Sequence, residues 1–313
     1  MNLVFAGTPG FAVPTLETLV EAGFPVRLVI TQPDKARGRG LELGASPVKQ
    51  SALRLGLPLV QPDKIRNNEE LRTQLLALNP EAILVVGYGR LIPQWMINLP
   101  RYGNLNLHAS LLPKFRGAAP IQWAIAQGES ATGVTTMRID AGLDTGDILL
   151  QREMPIEPDD TAETLAPRLA IIGAGLMIET LRALEAGNIQ SRPQDHSQAT
   201  LAPVLKKEDG VIDFQRPATE IRNRLRGFQP WPGAVTLFRE RSLQVRSAKL
   251  TSAAPQAVPG EIHVHRDRLL VSCGQKTALE LLEVQPEGKK RMPARDFIHG
   301  YRPRSGERLG PGA

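Results

Sequence analysis

Residues 102–120 read Y-G-N-L-N-L-H-A-S-L-L-P-K-F-R-G-A-A-P and place Asn104, Asn106, His108 and Ser110 at alternate positions. In an extended strand side chains alternate between faces, so these four share one side while Leu105, Leu107, Ala109 and Leu111 share the other. The polar side holds two amides, an imidazole and a hydroxyl, with no Lys or Glu to solubilise it. A half-exposed antiparallel strand would show the same alternation with its polar face simply wet. Downstream, D-A-G-L-D-T-G-D interleaves Asp140, Asp144 and Asp147 with Gly142 and Gly146. This loop lacks the further oxygen ligands and closing Glu of a calcium loop, so no metal is expected. Two of its carboxylates suit turn capping, and one could orient a histidine. An amide and an imidazole can stabilise negative charge on oxygen as an amine adds to a carbonyl, and the imidazole can pass a proton to the departing group. No Ser or Cys sits in a nucleophile elbow, and Cys273 lies far away in the last third. Direct transfer between two bound substrates therefore suits the set better than a covalent intermediate.

The elements around this stretch read as an α/β fold. The chain opens on the apolar run M-N-L-V-F-A-G, then T-P-G, then Val13, Leu16, Leu19 and Val20 at helical spacing with Pro14 near the start. Gly7 and Gly10 do not complete a G-x-G-x-x-G, so a dinucleotide fingerprint is not expected. Residues 24–31 and 57–61 read as strands, and helices are expected over 46–55, after a Ser46-Pro47 cap, and over 68–78. Residues 82–86 form a continuous apolar run, as in a parallel strand buried on both faces. The G-Y-G that follows sits where such folds place ligands. Helices are expected over 120–127 and 161–186, the latter with Leu165, Leu169, Ile172, Leu176, Leu181 and Leu184 as its apolar stripe. These elements predict a parallel-rich, Rossmann-like sheet over residues 1–190.

The polar segment S-R-P-Q-D-H-S-Q-A-T begins a linker, expected over 191–206. Beyond it, one short helix at 218–227 and five short strand-like segments predict a smaller OB-like β-barrel over 207–313. The Gly-rich tail after Ser305 is expected to be loosely ordered.

The charge is unevenly shared. Residues 1–203 carry 18 Lys and Arg against 20 Asp and Glu, a balance of −2, whereas residues 204–313 carry 20 against 12, a balance of +8. A basic last third points to a polyanionic partner, since cations that neutralise phosphates release counterions. The loop K-A-R-G-R-G adds Lys35, Arg37 and Arg39 beside Gly38 and Gly40. No apolar run approaches the ~18 residues of a membrane span, the N-terminus has no secretory pattern, and the single cysteine precludes an internal disulfide. These features predict a cytoplasmic protein with no membrane partner.

N-x-H-x-S-L-L-P, with L-D-T-G-D downstream, resembles the folate-dependent formyltransferases. Similarity is greatest to the branch that formylates charged initiator tRNA. It extends over F-A-G-T-P, T-Q-P-D, the R-G-R-G loop, S-P-V-K, V-V-G-Y-G, H-A-S-L-L-P-K-F-R-G-A-A-P-I-Q, and the F-Q-P-W-P and G-K-K segments. The resemblance implies transfer of the formyl group of 10-formyltetrahydrofolate, as co-substrate, to the α-amine of methionyl initiator tRNA, by a monomer. It implies that Asn106, His108 and Asp144 are catalytic and that Ser110, Leu111, Leu112 and Pro113 lie along the folate. Lys35, Arg37 and Arg39, with Lys206, Lys207, Lys289, Lys290 and Arg291 of the basic last third, are the cations expected on the tRNA. A related formyltransferase acting on an amino sugar nucleotide or an amino-ribonucleotide is the alternative.

Overall fold

The structure, a computed structural model, describes residues 1–37, 42–252 and 257–310; for residues 35–37, 42 and 43 it describes the backbone alone. The chain folds into two compact units. One comprises Met1–Pro120, Ala131–Pro155 and Ala166–Pro203; the other comprises Ile121–Ser130, Ile156–Leu165 and the chain from Val204 onward.

The first unit begins with β1 (Leu3–Gly7), α1 (Val13–Glu21) and β2 (Val26–Ile30), followed by the small hairpin β3 (Lys35–Arg37) and β4 (Glu42–Gly44). Then come α2 (Pro47–Arg54), β5 (Leu59–Val60), α3 (Glu69–Leu78), β6 (Ala82–Val86), α4 (Gln94–Ile97) and β7 (Asn104–His108). After α5 (Pro120–Ala126), the strands β8 (Ala131–Arg138) and β9 (Ile148–Pro155) lead into α6 (Ala162–Glu185). Local chemistry sets several of these boundaries. The side chains of Ser46 and Asn68 accept the backbone N–H of Lys49 and Leu71, capping α2 and α3.

Seven strands form one sheet in the order β5-β2-β1-β6-β7-β8-β9. Pairing is parallel from β5 through β7 and antiparallel for β8 and β9. The strand order reverses beside β1, so the crevice beyond β1 and β6 is a topological switch point. Every residue of β1 and β6 is buried. Each fully buried Val, Leu or Ile there contributes about 1.5–3 kcal/mol. The apolar back of β7 is seated against α6: a Cβ at Gly173 would lie 2.7 Å from Leu107 Cδ2, so only a glycine lets the helix approach that closely. Helix α6 has the length and apolarity to cross a bilayer, yet it carries Glu163, Arg168, Glu179 and Arg182, and residues such as Leu169, Leu176 and Leu181 are core.

In the second unit α7 (Ala218–Gly227) precedes β10 (Val235–Phe238), β11 (Arg241–Thr251), β12 (Ile262–His265), β13 (Arg268–Cys273), β14 (Thr277–Pro286), β15 (Met292–Pro293) and α8 (Ala294–Tyr301). The antiparallel order is β10-β11-β14-β13-β12, with β15 added to β14. The expected loose tail is a correction, at least as far as Gly310. Leu309 N donates to Gly260 O at 2.8 Å and Gly310 N to Leu237 O at 3.0 Å, while Ile262 N donates to Glu307 O at 2.7 Å. Residues 306–310 thus bridge both edge strands and close the sheet into a barrel, with the Leu309 side chain in the core. An edge strand leaves a row of unpaired peptide groups, and the tail supplies their partners.

Helix α5 and residues 156–165 belong to this second unit through specific contacts. The Trp123 ring meets Phe228 edge-on at 5.2 Å, and the Arg224 guanidinium lies over both rings. The Arg226 side chain donates to the carbonyls of Glu157 and Asp160.

Candidate active site

Strand β7 carries the polar face, but its four polar side chains have different uses. Asn104 is buried, and its amide donates to the carbonyls of Met96 and Ile97 at 2.8 and 3.0 Å, so it holds the end of α4. Ser110, wholly buried, donates its hydroxyl to Lys114 O at 2.6 Å. That leaves Asn106 and His108.

The loop carrying Asp144 leaves β8 level with Leu105, since Arg138 pairs with Leu105 and Ile139 N donates to Asn104 O. It folds back along β7 until Asp144 stands beside both residues. Asp144 Oδ2 is 3.6 Å from His108 Nδ1 and accepts the N–H of Gly117 at 2.8 Å; Oδ1 accepts from Asn106 Nδ2 at 3.4 Å. Asp140 and Asp147 serve the loop itself. Asp140 accepts from Gly142 N and the Thr145 hydroxyl, and Asp147 accepts from the Ser191 hydroxyl.

The other ring nitrogen of His108 settles its tautomer. Nε2 lies 2.9 Å from Phe115 O, and a carbonyl can only accept, so Nε2 carries a hydrogen. Nδ1, facing the carboxylate, is then the nitrogen left free to accept a proton. Asn106 Nδ2 has a second N–H beyond the one aimed at Asp144, available to an acyl oxygen. The arrangement can move one proton and support one developing negative charge. It contains no free hydroxyl nucleophile at Ser110, and burial in the barrel core pushes the Cys273 thiol up to about 12. Among the described residues no group of three or more His, Cys, Asp or Glu could hold a metal ion.

The segment after His108 divides in the same way. Leu112 is buried with Met137 and Ile148, its N–H held by the Thr135 hydroxyl and its carbonyl by the Gln151 amide. Leu111 and Pro113 keep part of their surface accessible.

Of the cations singled out in the sequence, Arg39 lies outside the described residues, and for Lys35 and Arg37 only the hairpin backbone is described. The root of that hairpin is anchored: Asp34 accepts from Lys49 Nζ at 2.5 Å and Gln61 Nε2 at 2.8 Å, which holds its carboxyl below the usual range. Lys206, Lys207, Lys289, Lys290 and Arg291 are exposed. Arg291 is paired with Glu283.

Sequence reasoning missed the groups that fix the pair. These are the Phe115 carbonyl, the Gly117 N–H, and Gln194, which lies in the segment read as the start of a linker. Gly117 has φ +120°, and a Cβ there would stand 2.7 Å from Ala202 O, so its N–H reaches Asp144 only from a glycine.

The parallel-rich sheet of the first unit and the separate antiparallel sheet of the second accord with what comparison shows. Residues 1–181 match the family described as formyl transferase, and residues 204–302 match the formyl transferase C-terminal domain. The chain belongs to the formyl transferase family. Within it, the chain is 65% identical to a methionyl-tRNA formyltransferase of Koribacter versatilis, covering 99% of both chains. It is 61% identical to that of Acidobacterium capsulatum over 96% of each. A solved sugar 3N-formyl transferase, crystallised with dTDP and 5-N-formyl-THF, superposes with a TM-score of 0.67 at 20% identity, over 93% of this chain and 99% of that one.

Proposed function

We propose that the protein transfers the formyl group of 10-formyltetrahydrofolate to the α-amine of methionine esterified to initiator tRNA, acting as a cytoplasmic monomer. The observation that carries the reading is the Asp144 carboxylate beside His108 Nδ1 at 3.6 Å, with the Asn106 amide on its other oxygen. Identity with methionyl-tRNA formyltransferases over nearly the whole chain supports the acceptor.

The bound folate supplies the formyl carbon. Asn106 donates its free N–H to the acyl oxygen as charge develops there. The His108–Asp144 pair takes up a proton from the amine at Nδ1 and gives it to the departing nitrogen, with Nε2 fixed on Phe115 O throughout. An α-amine titrates at about 7.7–8.0, and the ester beside it lowers that value, so activating it is a small task. Stabilising charge is the larger one. Leu111 and Pro113 line the folate, while the buried Ser110 and Leu112 hold their segment in place. Lys35, Arg37 and Arg39 and the exposed lysines Lys206, Lys207, Lys289 and Lys290, with Arg291, meet tRNA phosphates. The first unit, which takes in most of the expected 191–206 linker, carries the formyl transfer, and the unit that contains the chain from Val204 onward binds the tRNA.

Purified protein is offered formyl-folate with charged initiator tRNA, an amino sugar nucleotide or an amino-ribonucleotide as acceptor. Formylation of the tRNA alone is expected. Formylation of a small acceptor in preference to tRNA overturns the reading.

A further inference from the structure

We infer that Gln194 is a positioning residue for Asp144, and that the Arg116–Gln194 pair clamps the catalytic loop from behind. The inference rests on the formyl transfer proposed above. Gln194 is buried, and all four hydrogen-bonding positions of its amide are used. Nε2 donates to Asp144 O at 2.8 Å and to Gly146 O at 2.7 Å. Oε1 accepts from Arg116 Nε at 3.1 Å and Nη2 at 2.7 Å. Only one orientation of the amide satisfies this set, because its nitrogen must meet two carbonyls and its oxygen a guanidinium.

The bond to Asp144 falls on the carbonyl of the very residue whose carboxylate faces His108. Asp144 has φ +50°, a left-handed conformation that an aspartate adopts at some conformational expense. Holding its carbonyl restrains the peptide and so the direction in which the carboxylate leaves the chain. Released, the residue would relax toward the right-handed region and swing its carboxylate off Nδ1.

Arg116 provides the other end of the clamp. It stands between Phe115, whose carbonyl holds His108 Nε2, and Gly117, whose N–H holds Asp144 Oδ2. Its own backbone is fixed on both sides, N–H to Thr200 O at 2.8 Å and carbonyl to Ala202 N at 2.7 Å. Its guanidinium is buried and meets neutral acceptors, the Gln194 oxygen and His196 Nδ1 at 3.1 Å. A buried cation on neutral partners is a poor way to gain stability alone. It is a direct way to hold the segment 115–117 and the Asp144 loop in one register.

Two variants separate positioning from tethering. Gln194→Ala removes both ends of the clamp. Gln194→Glu keeps and strengthens the acceptor for Arg116 but cannot donate to the carbonyls of Asp144 and Gly146. Wild-type turnover on charged initiator tRNA is measured first, and its absence would refute the proposed reaction rather than the clamp. Given turnover, both variants are expected to lose kcat by about 10- to 100-fold, the range typical of partners that orient a reacting group. KM for tRNA and for formyl-folate is expected to stay within about twofold, since neither is touched, and Gln194→Glu, which keeps the pair with Arg116, is expected to unfold at a higher temperature than Gln194→Ala. In an Asp144→Asn background, Gln194→Ala is expected to cost little more, because the group it positions has gone. A Gln194→Glu protein that keeps wild-type kcat, or a full additive loss in the Asp144→Asn background, overturns the inference.

Discussion

Asp144→Asn isolates the charge of the carboxylate while keeping its shape. The amide oxygen can still accept the Gly117 N–H, now at 2.8 Å, so the loop has no steric reason to move. What is lost is attraction between the carboxylate and a proton on His108 Nδ1, 3.6 Å away, together with the long 3.4 Å bond from Asn106 Nδ2, which would then face an N–H. With an effective dielectric of about 20, two unit charges at that distance attract by about 4–5 kcal/mol, and a dielectric of about 40 halves this. The ring is almost wholly buried and the carboxylate is 17% exposed, so water screens the pair only in part. If the ring is charged at the transition state and neutral before it, this energy appears in the barrier. A loss of about 2–5 kcal/mol corresponds to a fall in rate of about 30- to 5,000-fold. The assay is single-turnover formylation of charged initiator tRNA at saturating formyl-folate, which excludes product release. The melting temperature should remain near wild type. A rate within about threefold of wild type would refute the argument, because no charged ring would then depend on that carboxylate. An unchanged rate with a raised KM for formyl-folate would assign Asp144 to binding instead.

Three further outcomes follow from other parts of the chain. Gly117→Ala places a Cβ 2.7 Å from Ala202 O at φ +120°, so urea unfolding should show a loss of about 1–3 kcal/mol, with a fall in kcat as the N–H leaves Asp144. Glu280, buried on β14, accepts from Arg268 Nε at 3.0 Å and lies 3.5 Å from Lys249 Nζ, and the Arg268 bond holds its carboxyl below the usual glutamate range. A lowered folded value means stability that is present above the unfolded value of about 4.3 and lost as pH falls through the folded one. Glu280→Gln should therefore destabilise by about 1 kcal/mol at neutral pH, discounted for the half-exposed Arg268, and the difference should shrink as pH falls below about 4.3 in thermal melts of the full chain. Arg39→Ala should raise KM for tRNA, and make it less salt-dependent, with KM for formyl-folate unchanged; equal loss of both would make the loop structural.

Much of the fold was legible because its signals are local. The unbroken apolar runs of β1 and β6 and the four-and-three spacing of α6 reflect burial imposed on successive residues. Strand β9 escaped because it is an edge strand whose exposed Arg152 and Glu153 interrupt the alternation. The 306–310 tail escaped for a different reason: its order comes from backbone pairing with residues far away in sequence, and glycine-rich composition says nothing of that. Reading β7 by alternation alone grouped Asn104 and Ser110 with Asn106 and His108. All four are polar for good cause, but two of the four are spent on the carbonyls of Met96, Ile97 and Lys114.

The geometry around His108 and Asp144 shows why site residues are easier to find than the groups that hold them. One three-residue segment grips both partners, with the carbonyl of Phe115 on the ring and the N–H of Gly117 on the carboxylate. Peptide groups are the same at every position, so no residue type announces them. Only the consequences are visible, in a glycine that cannot carry a Cβ and an arginine buried between the two holding residues. A carboxylate or lysine in their place would have brought a charge of its own into the field between ring and aspartate. Peptide dipoles fix the pair through partial charges alone.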